Sequence, residues 1–237
     1  MEQKAALQPD RLPLPPKEID YIGAQLPPVD HLYAGLCRTL ARLQPHERVL
    51  DVGSGLGRLA LALTGYLDER GRYEGFDIVS AGIEWCRQNI TPRFPNFRFQ
   101  TVDVANPDFN PKGSVSASDF TFPYEDESFD LVFLRSIFTL MTAPGVERYL
   151  AEIARVLAPG GRSLITFFLL NAESVALIDR LKIRDFKYPY GPYKTEKAAG
   201  RGAVAYEESY VRDLFARSDL KLREPVYYGR WCGRRSD

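Results

Sequence analysis

Three glycines at alternate positions close an apolar run in Val49-Leu50-Asp51-Val52-Gly53-Ser54-Gly55-Leu56-Gly57, and a carboxylate closes a second such run in Gly75-Phe76-Asp77-Ile78. Glycine turns where a Cβ would clash, so Gly53, Ser54, Gly55 and Gly57 can form a sharp bend that brings a ligand close to N–H groups at a helix N-terminus. Asp77, one helix further on, can accept both hydroxyls of a ribose. The combination describes a nucleoside site at the C-terminal edge of a parallel sheet. A dinucleotide fingerprint needs its third glycine one position later, where Arg58 stands, and this favours a mononucleoside-type ligand.

Other residues could complete such a site. Asp51, inside its strand, is a costly buried charge unless it meets donors, so it is expected to hold the loop amides or a ligand ammonium. Asp103 and Asp119 are rival acceptors for the exocyclic amine of adenine, with Ile78, Val79 and Val104 as apolar walls. Asp103 is preferred because it follows its strand directly, although either could be a loop carboxylate in water. Of the two histidines, His46 lies in a polar lead and reads as surface. His31, at a helix start, could be a general base or simply solvent-exposed. Arg135, in Leu134-Arg135-Ser136-Ile137-Phe138, could pair with an acceptor carboxylate or phosphate, or with a neighbouring acid. Phe138 could line an acceptor pocket or belong to the core.

The elements that must position these groups can be read from periodicity. Residues 1–28 hold six prolines and read as an extended arm, with Ile19, Tyr21 and Ile22 able to dock, followed by a domain over 29–237. Helices are expected at 29–43, from the glycines through Leu59, Leu63 and Leu67, at 80–89, at 146–157 closed by Pro159-Gly160-Gly161, at 172–181 and at 207–217. Strands are expected at 48–52, 73–78, 97–102, 129–134, 163–169 and 221–228, with a long loop at 103–119. Strands alternating with helices imply an α/β, doubly wound, Rossmann-like and mostly parallel sheet with helices on both faces. A lid is expected at about 180–205, where basic residues alternate with aromatics such as Tyr188 and Tyr193; it would suit an acidic, partly apolar small molecule.

Composition narrows the partners. Lys plus Arg and Asp plus Glu both total 31, so a polyanion-seeking surface is not indicated and nucleic acid is not expected. Cys37, Cys86 and Cys232 form no Cys-x-x-Cys pair, which argues against a disulfide framework or a zinc knuckle and fits a reducing cytoplasm. No apolar run approaches the roughly 20 residues of a membrane helix, and no export signal is evident. A cytoplasmic monomer or homodimer, without a membrane or metal partner, is the expectation.

With these pieces assembled, the chain resembles the class I S-adenosylmethionine-dependent methyltransferases. The resemblance spans about residues 47–169 and rests on the glycine segment, Asp77, Phe122-Pro123-Tyr124-Glu125-Asp126-Glu127-Ser128-Phe129-Asp130-Leu131-Val132, and Tyr149-Leu150-Ala151-Glu152-Ile153-Ala154-Arg155-Val156-Leu157-Ala158-Pro159-Gly160-Gly161. It implies S-adenosylmethionine as cofactor, a Leu134 carbonyl facing the methionine ammonium, and a sheet of order 3-2-1-4-5-7-6 with an antiparallel seventh strand. The chain departs from that pattern, because only Gly229–Asp237 follow the last expected strand. The sheet is therefore expected to lack or alter its last strand. The leading expectation is methyl transfer to an oxygen, or a nitrogen, of a small, acidic acceptor. The alternatives are an NAD(P)-dependent oxidoreductase, for which Arg58 is the wrong residue, and a non-catalytic cofactor-binding scaffold.

Overall fold

The computed structural model describes residues 13–20, 29–198 and 201–235. The docking positions expected at Tyr21 and Ile22 lie outside the described residues. The chain's contacts fall into two compact units, one of Met1–Asp103, Asp126–Leu134 and Leu157–Leu164, the other of Val104–Glu125, Arg135–Val156 and Ile165–Asp237.

The first unit carries a five-stranded sheet of β1 (Arg48–Val52), β2 (Arg72–Asp77), β3 (Phe97–Thr101), β4 (Phe129–Leu134) and β5 (Leu157–Ile165), in the order β3-β2-β1-β4-β5. β1 pairs in parallel with β2 and β4, and β2 with β3. Apolar runs such as Val49, Leu50 and Val52, almost wholly buried, are what interior parallel strands require. Helices α1 (His31–Thr39), α2 (Arg58–Leu63) and α3 (Ser80–Asn89) share one core with these strands, through residues including Cys37, Leu59, Leu63, Ile83, Tyr73 and Leu131. Ile19 packs against the same core, as expected. Asp30 caps α1 by accepting from Tyr33 N–H at 3.1 Å. α2 stops at Leu63 rather than running on to Leu67, because Thr64 turns its hydroxyl back onto the Leu61 carbonyl and the chain enters a turn.

The second unit holds α4 (Ala143–Val156), β6 (Leu169–Leu170), α5 (Ala172–Leu181), β7 (Tyr188–Tyr190), β8 (Tyr193–Lys197), β9 (Arg201–Glu207) and α6 (Glu208–Arg217). Its four-stranded sheet runs β6-β9-β8-β7, with β9 parallel to β6 and the other pairs antiparallel. Leu170, Ile178, Ala205 and Cys232 form a small core, with Phe168, Phe186 and Trp231 against it.

Three expectations need correction, and the basic aromatic stretch takes a definite form. The apolar run 163–169 is not one strand: β5 begins at Leu157, directly after α4, and Leu169–Leu170 pairs in the other sheet. The glycines after Pro159 lie within β5, where Gly160 takes a φ of +79° and a Cβ on Gly161 would meet the Ala158 oxygen at 2.8 Å. The basic aromatic stretch expected as a lid contains a hairpin, β7 and β8 joined through Gly191 (φ +65°) and Pro192. Pro189 is tolerated because β7 is an edge strand. Residues 221–228 form no strand; the segment is largely exposed and broken by Pro225, which has no N–H to give a ladder. Accordingly, among the described residues, no sixth or seventh strand joins the five-stranded sheet.

Candidate cofactor site

Register brings the expected cofactor residues of the first unit to one sheet edge. Val52, the last residue of β1, pairs with Phe76 of β2 and Leu134 of β4, and Asp77 pairs with Thr101 of β3. The turn after β1, Asp77, Leu134 and the residues after β3 therefore leave adjacent strands at the same end, the position where open α/β sheets bind ligands.

The turn itself is built from three left-handed residues, Gly53 (φ +79°), Gly55 (φ +55°) and Gly57 (φ +68°), with Gly57 as the N-cap of α2. A Cβ on Gly57 would lie 2.8 Å from Cys86 Sγ, so both conformation and space demand glycine there. Gly75, opposite Asp51 in register, plays a matching part from β2. A Cβ on it would strike Ser54 at 2.8 Å.

Four main-chain donors of the bend have partners within the protein. Gly53 N–H and Ser54 N–H both donate to the Phe76 carbonyl, at 2.9 and 3.0 Å, and Gly57 N–H donates to the Ser54 carbonyl at 2.9 Å. Gly55 N–H donates to Asp77 Oδ2 at 2.9 Å, and Val79 N–H donates to Asp77 Oδ1 at 2.9 Å. Asp77 is thus a brace for the bend. A carboxylate has about four lone-pair directions, so it can accept from several donors at once.

Asp51 lies within β1. It accepts a hydrogen bond from Tyr73 Oη, a partner that lies two residues along β2 from its register mate Gly75. Both residues are buried, and burial, then the Asp51 charge, pushes the Tyr73 phenol well above its ordinary range. Tyr73 is the site residue that motif reading missed, although the need of Asp51 for a donor announced it. Burial likewise pushes the nearby Cys37 thiol up to about 12 and raises Cys86 further.

Of the other residues singled out in this unit, Ile78 is half-buried beside Asp77, and Asp103 is exposed just past β3. Leu134 is buried at the end of β4, and His31 is an exposed first residue of α1. The second unit contains the rest. Val104 is buried and bridged to Val115, whereas Asp119 is exposed in a turn closed on Ser116. Arg135 is half-buried. Phe138 is fully buried against the rings of Tyr149 and Phe167, which makes it a core residue rather than a pocket wall. Tyr188 is exposed on edge strand β7, and Tyr193 stacks on Tyr190 and meets the Tyr206 ring at a tilt.

Two observations bear on whether an adenosyl group fits the first unit. Ser54 Oγ is buried without a hydrogen-bond partner among the described residues. Asp77, braced at the strand end, carries a carboxylate, a group that accepts from hydroxyl donors. Both suit a hydroxyl-bearing ligand, since a buried unpaired hydroxyl is unfavourable unless something satisfies it.

Residues 50–165 match a family described as "Methyltransferase domain". The chain is 35% identical over 120 residues to a phthiotriol/phenolphthiotriol dimycocerosates methyltransferase of Mycobacterium ulcerans, a stretch covering 51% of this chain and 37% of that protein. It is 30% identical over 156 residues to the demethylmenaquinone methyltransferase of Tropheryma whipplei, covering 65% and 55% respectively. The chain therefore spans well under two thirds of the length of these relatives. The crystal structure of the PH0226 protein from Pyrococcus horikoshii OT3 superposes with a TM-score of 0.52 at 20% identity, over 78% of this chain and 77% of that one, a likeness of fold. Residues 50–165, the stretch that includes the glycine bend, the Asp77 brace and the strands beside them, thus resemble a methyltransferase domain.

Proposed function

We propose that the protein transfers a methyl group from S-adenosylmethionine to an oxygen, or a nitrogen, of a small acidic molecule. The observation that carries this reading is the Asp77 carboxylate, fixed by Gly55 N–H and Val79 N–H at the end of β2. This carboxylate would take the ribose hydroxyls, with Ser54 Oγ as a further polar contact and Ile78 as an apolar wall for the base. Asp103, in the same unit, would accept from the adenine amine; Asp119 belongs to the other unit and is not needed for this role. The Leu134 carbonyl would face the methionine ammonium.

When bound, the cofactor supplies a methyl group already activated by its sulfonium. The chain then has mainly to bind, orient and exclude water, because near-attack alignment provides most of the acceleration in such a transfer. A hydroxyl nucleophile must also lose its proton, for which exposed His31 is the candidate base. Arg135, Tyr188 and Tyr193 offer a cation and phenol hydroxyls of the kind that recognise an acidic, partly apolar acceptor. The balance of 31 basic and 31 acidic residues supports a small molecule over nucleic acid, and three free, buried cysteines support a cytoplasmic setting. Monomer and homodimer both accommodate this site.

Isothermal titration with S-adenosylhomocysteine tests the reading. Binding in the micromolar range is expected, and heat-silent titration up to high micromolar ligand would remove it. A nicotinamide-dependent oxidoreductase is disfavoured because Arg58 fills the place of the third fingerprint glycine and is committed to Asp20. An NADH fluorescence titration without signal is the expected result.

A further inference from the structure

Arg58 follows the cofactor bend directly, as the first residue of α2 after Gly57. A cation is the wrong sign for a helix N-terminus, whose exposed N–H groups favour negative charge. It is also buried, and a buried ion pair seldom adds net stability, because desolvation offsets the attraction. Stability alone therefore gives Arg58 little reason to be there. Its contacts suggest another. Arg58 Nη2 donates to Asp20 Oδ2 at 2.8 Å, with only 8% and 12% of the two side chains exposed. The Arg58 carbonyl accepts from Asp30 N–H at 2.9 Å, and Asp30 in turn caps α1. The segment ending at Asp20, docked on the core through Ile19, and the start of α1 thus meet at the same residue. On its other side Arg58 is joined to Gly57, whose position is closed in by Cys86 and Ile90. A shift of Arg58 cannot be absorbed there and must pass to the bend.

We propose that Arg58 is a positioning residue that fastens residues 13–20 to the cofactor bend, so that donor binding and docking of that segment strengthen one another. The inference rests on the methyltransferase reading above. Coupling of this kind is reciprocal: whatever tightens the bend holds Asp20, and whatever releases Asp20 loosens the bend.

The experiment compares wild type, Asp20→Asn and the paired variant Asp20→Leu with Arg58→Met, using S-adenosylhomocysteine as the probe. Titration calorimetry gives affinity, thermal melting without ligand gives stability, and tryptic cleavage after exposed Lys17 reports docking of the segment. Asp20→Asn should weaken binding roughly 5- to 50-fold, in the usual range for coupled sites, and the ligand should slow cleavage at Lys17 in wild type but not in the variant. The paired variant removes both charges and guards against failure of the single change to fold. It should recover most of the melting temperature while affinity stays low. Affinity within twofold of wild type in Asp20→Asn, or full recovery of affinity in the paired variant, overturns the proposal and leaves the methyltransferase reading intact. Failure of wild type itself to bind overturns both.

Discussion

Asp77 accepts the Gly55 amide proton at 2.9 Å, so the acid at the end of β2 and the glycine bend after β1 form one rigid piece. The same carboxylate also takes the Val79 amide at 2.9 Å. Removing it should relax the bend and delete the contacts to ribose together. Asp77→Ala is expected to weaken S-adenosylhomocysteine binding by about 10- to 100-fold, the size expected for charged hydrogen bonds. Asp77→Asn keeps one acceptor oxygen and should fall between Ala and wild type. Calorimetric titration of the three proteins checks the order; equal affinities would place the ribose elsewhere.

Tyr73 supports the strand that leads into the bend by donating to Asp51 of β1. Tyr73→Phe preserves the ring and its stacking on Phe97 at 5.2 Å, but withdraws a donor from a buried carboxylate. The expected loss is about 1–3 kcal/mol in urea unfolding. A variant as stable as wild type would show that the Asp51 charge is satisfied without the phenol.

How much of this was readable beforehand follows from the range of each signal. The glycine bend, Asp77 and the four parallel strands β1 to β4 were legible because each is coded locally, by an apolar run ending in a turn residue. The Asp51–Tyr73 bond was not, because it depends on register: Tyr73 is diagonal to Asp51 only once Asp51 is set opposite Gly75. The hairpin at Tyr188–Lys197, within the stretch expected to be a lid, was not foreseen although it carried its own signal, two aromatic runs joined by Gly191-Pro192. Pro189 argued against a strand, and its edge position removes that objection. The run 163–169 misled for the opposite reason, since one apolar stretch serves two sheets and periodicity cannot tell a shared run from a single strand.

The buried thiols give a chemical check on the first unit. Burial pushes Cys37 up to about 12, and Cys86 sits against Gly57. Thiolate is the reactive form, so neither should react with a disulfide reagent in folded protein at pH 8. Rapid labelling of Cys37 or Cys86 under native conditions, read by mass spectrometry, would contradict this packing.

At the other end of the strands Arg48 and Asp130 form a paired contact, Nη2 to Oδ1 2.9 Å and Nε to Oδ2 3.0 Å. The Arg48 hydrogen bonds hold the Asp130 carboxyl below its usual value of 3.8, against the opposing effect of partial burial. A carboxylate with a depressed folded pKa stabilises above its unfolded value and loses that contribution as pH falls through the folded one. Asp130→Asn should therefore be less stable than wild type by about 0.5–1 kcal/mol at pH 7, with the gap closing below about pH 4. Because the contact lies away from the glycine bend, ligand affinity should be unchanged. Denaturant melts at several pH values test the closing of the gap, and a gap independent of pH would show that the pair is not its source.

In the second unit Glu152 holds the segment before β4 onto α4. It accepts from Phe122 N–H at 2.8 Å and meets Arg155 at 2.6 Å and Arg148 at 3.2 Å, while those arginines donate to the Phe120, Phe122 and Tyr124 carbonyls. Burial opposes ionisation of Glu152, yet Arg155, the Phe122 amide and Arg148 outweigh it and keep the carboxyl below its ordinary range. If this were an exposed pair on a helix surface, its loss would cost only a few tenths of a kcal/mol. Glu152 is only 3% exposed, and Glu152→Ala leaves a buried amide and two guanidinium groups without their common acceptor. The expected destabilisation is about 3–5 kcal/mol, with Glu152→Gln milder because its amide oxygen still accepts from Phe122. Urea unfolding gives the magnitude, and hydrogen exchange at the Phe122 amide gives the site. Unchanged protection of that amide in Glu152→Ala would mean that the segment is held by its aromatic contacts with Tyr149 rather than by the carboxylate.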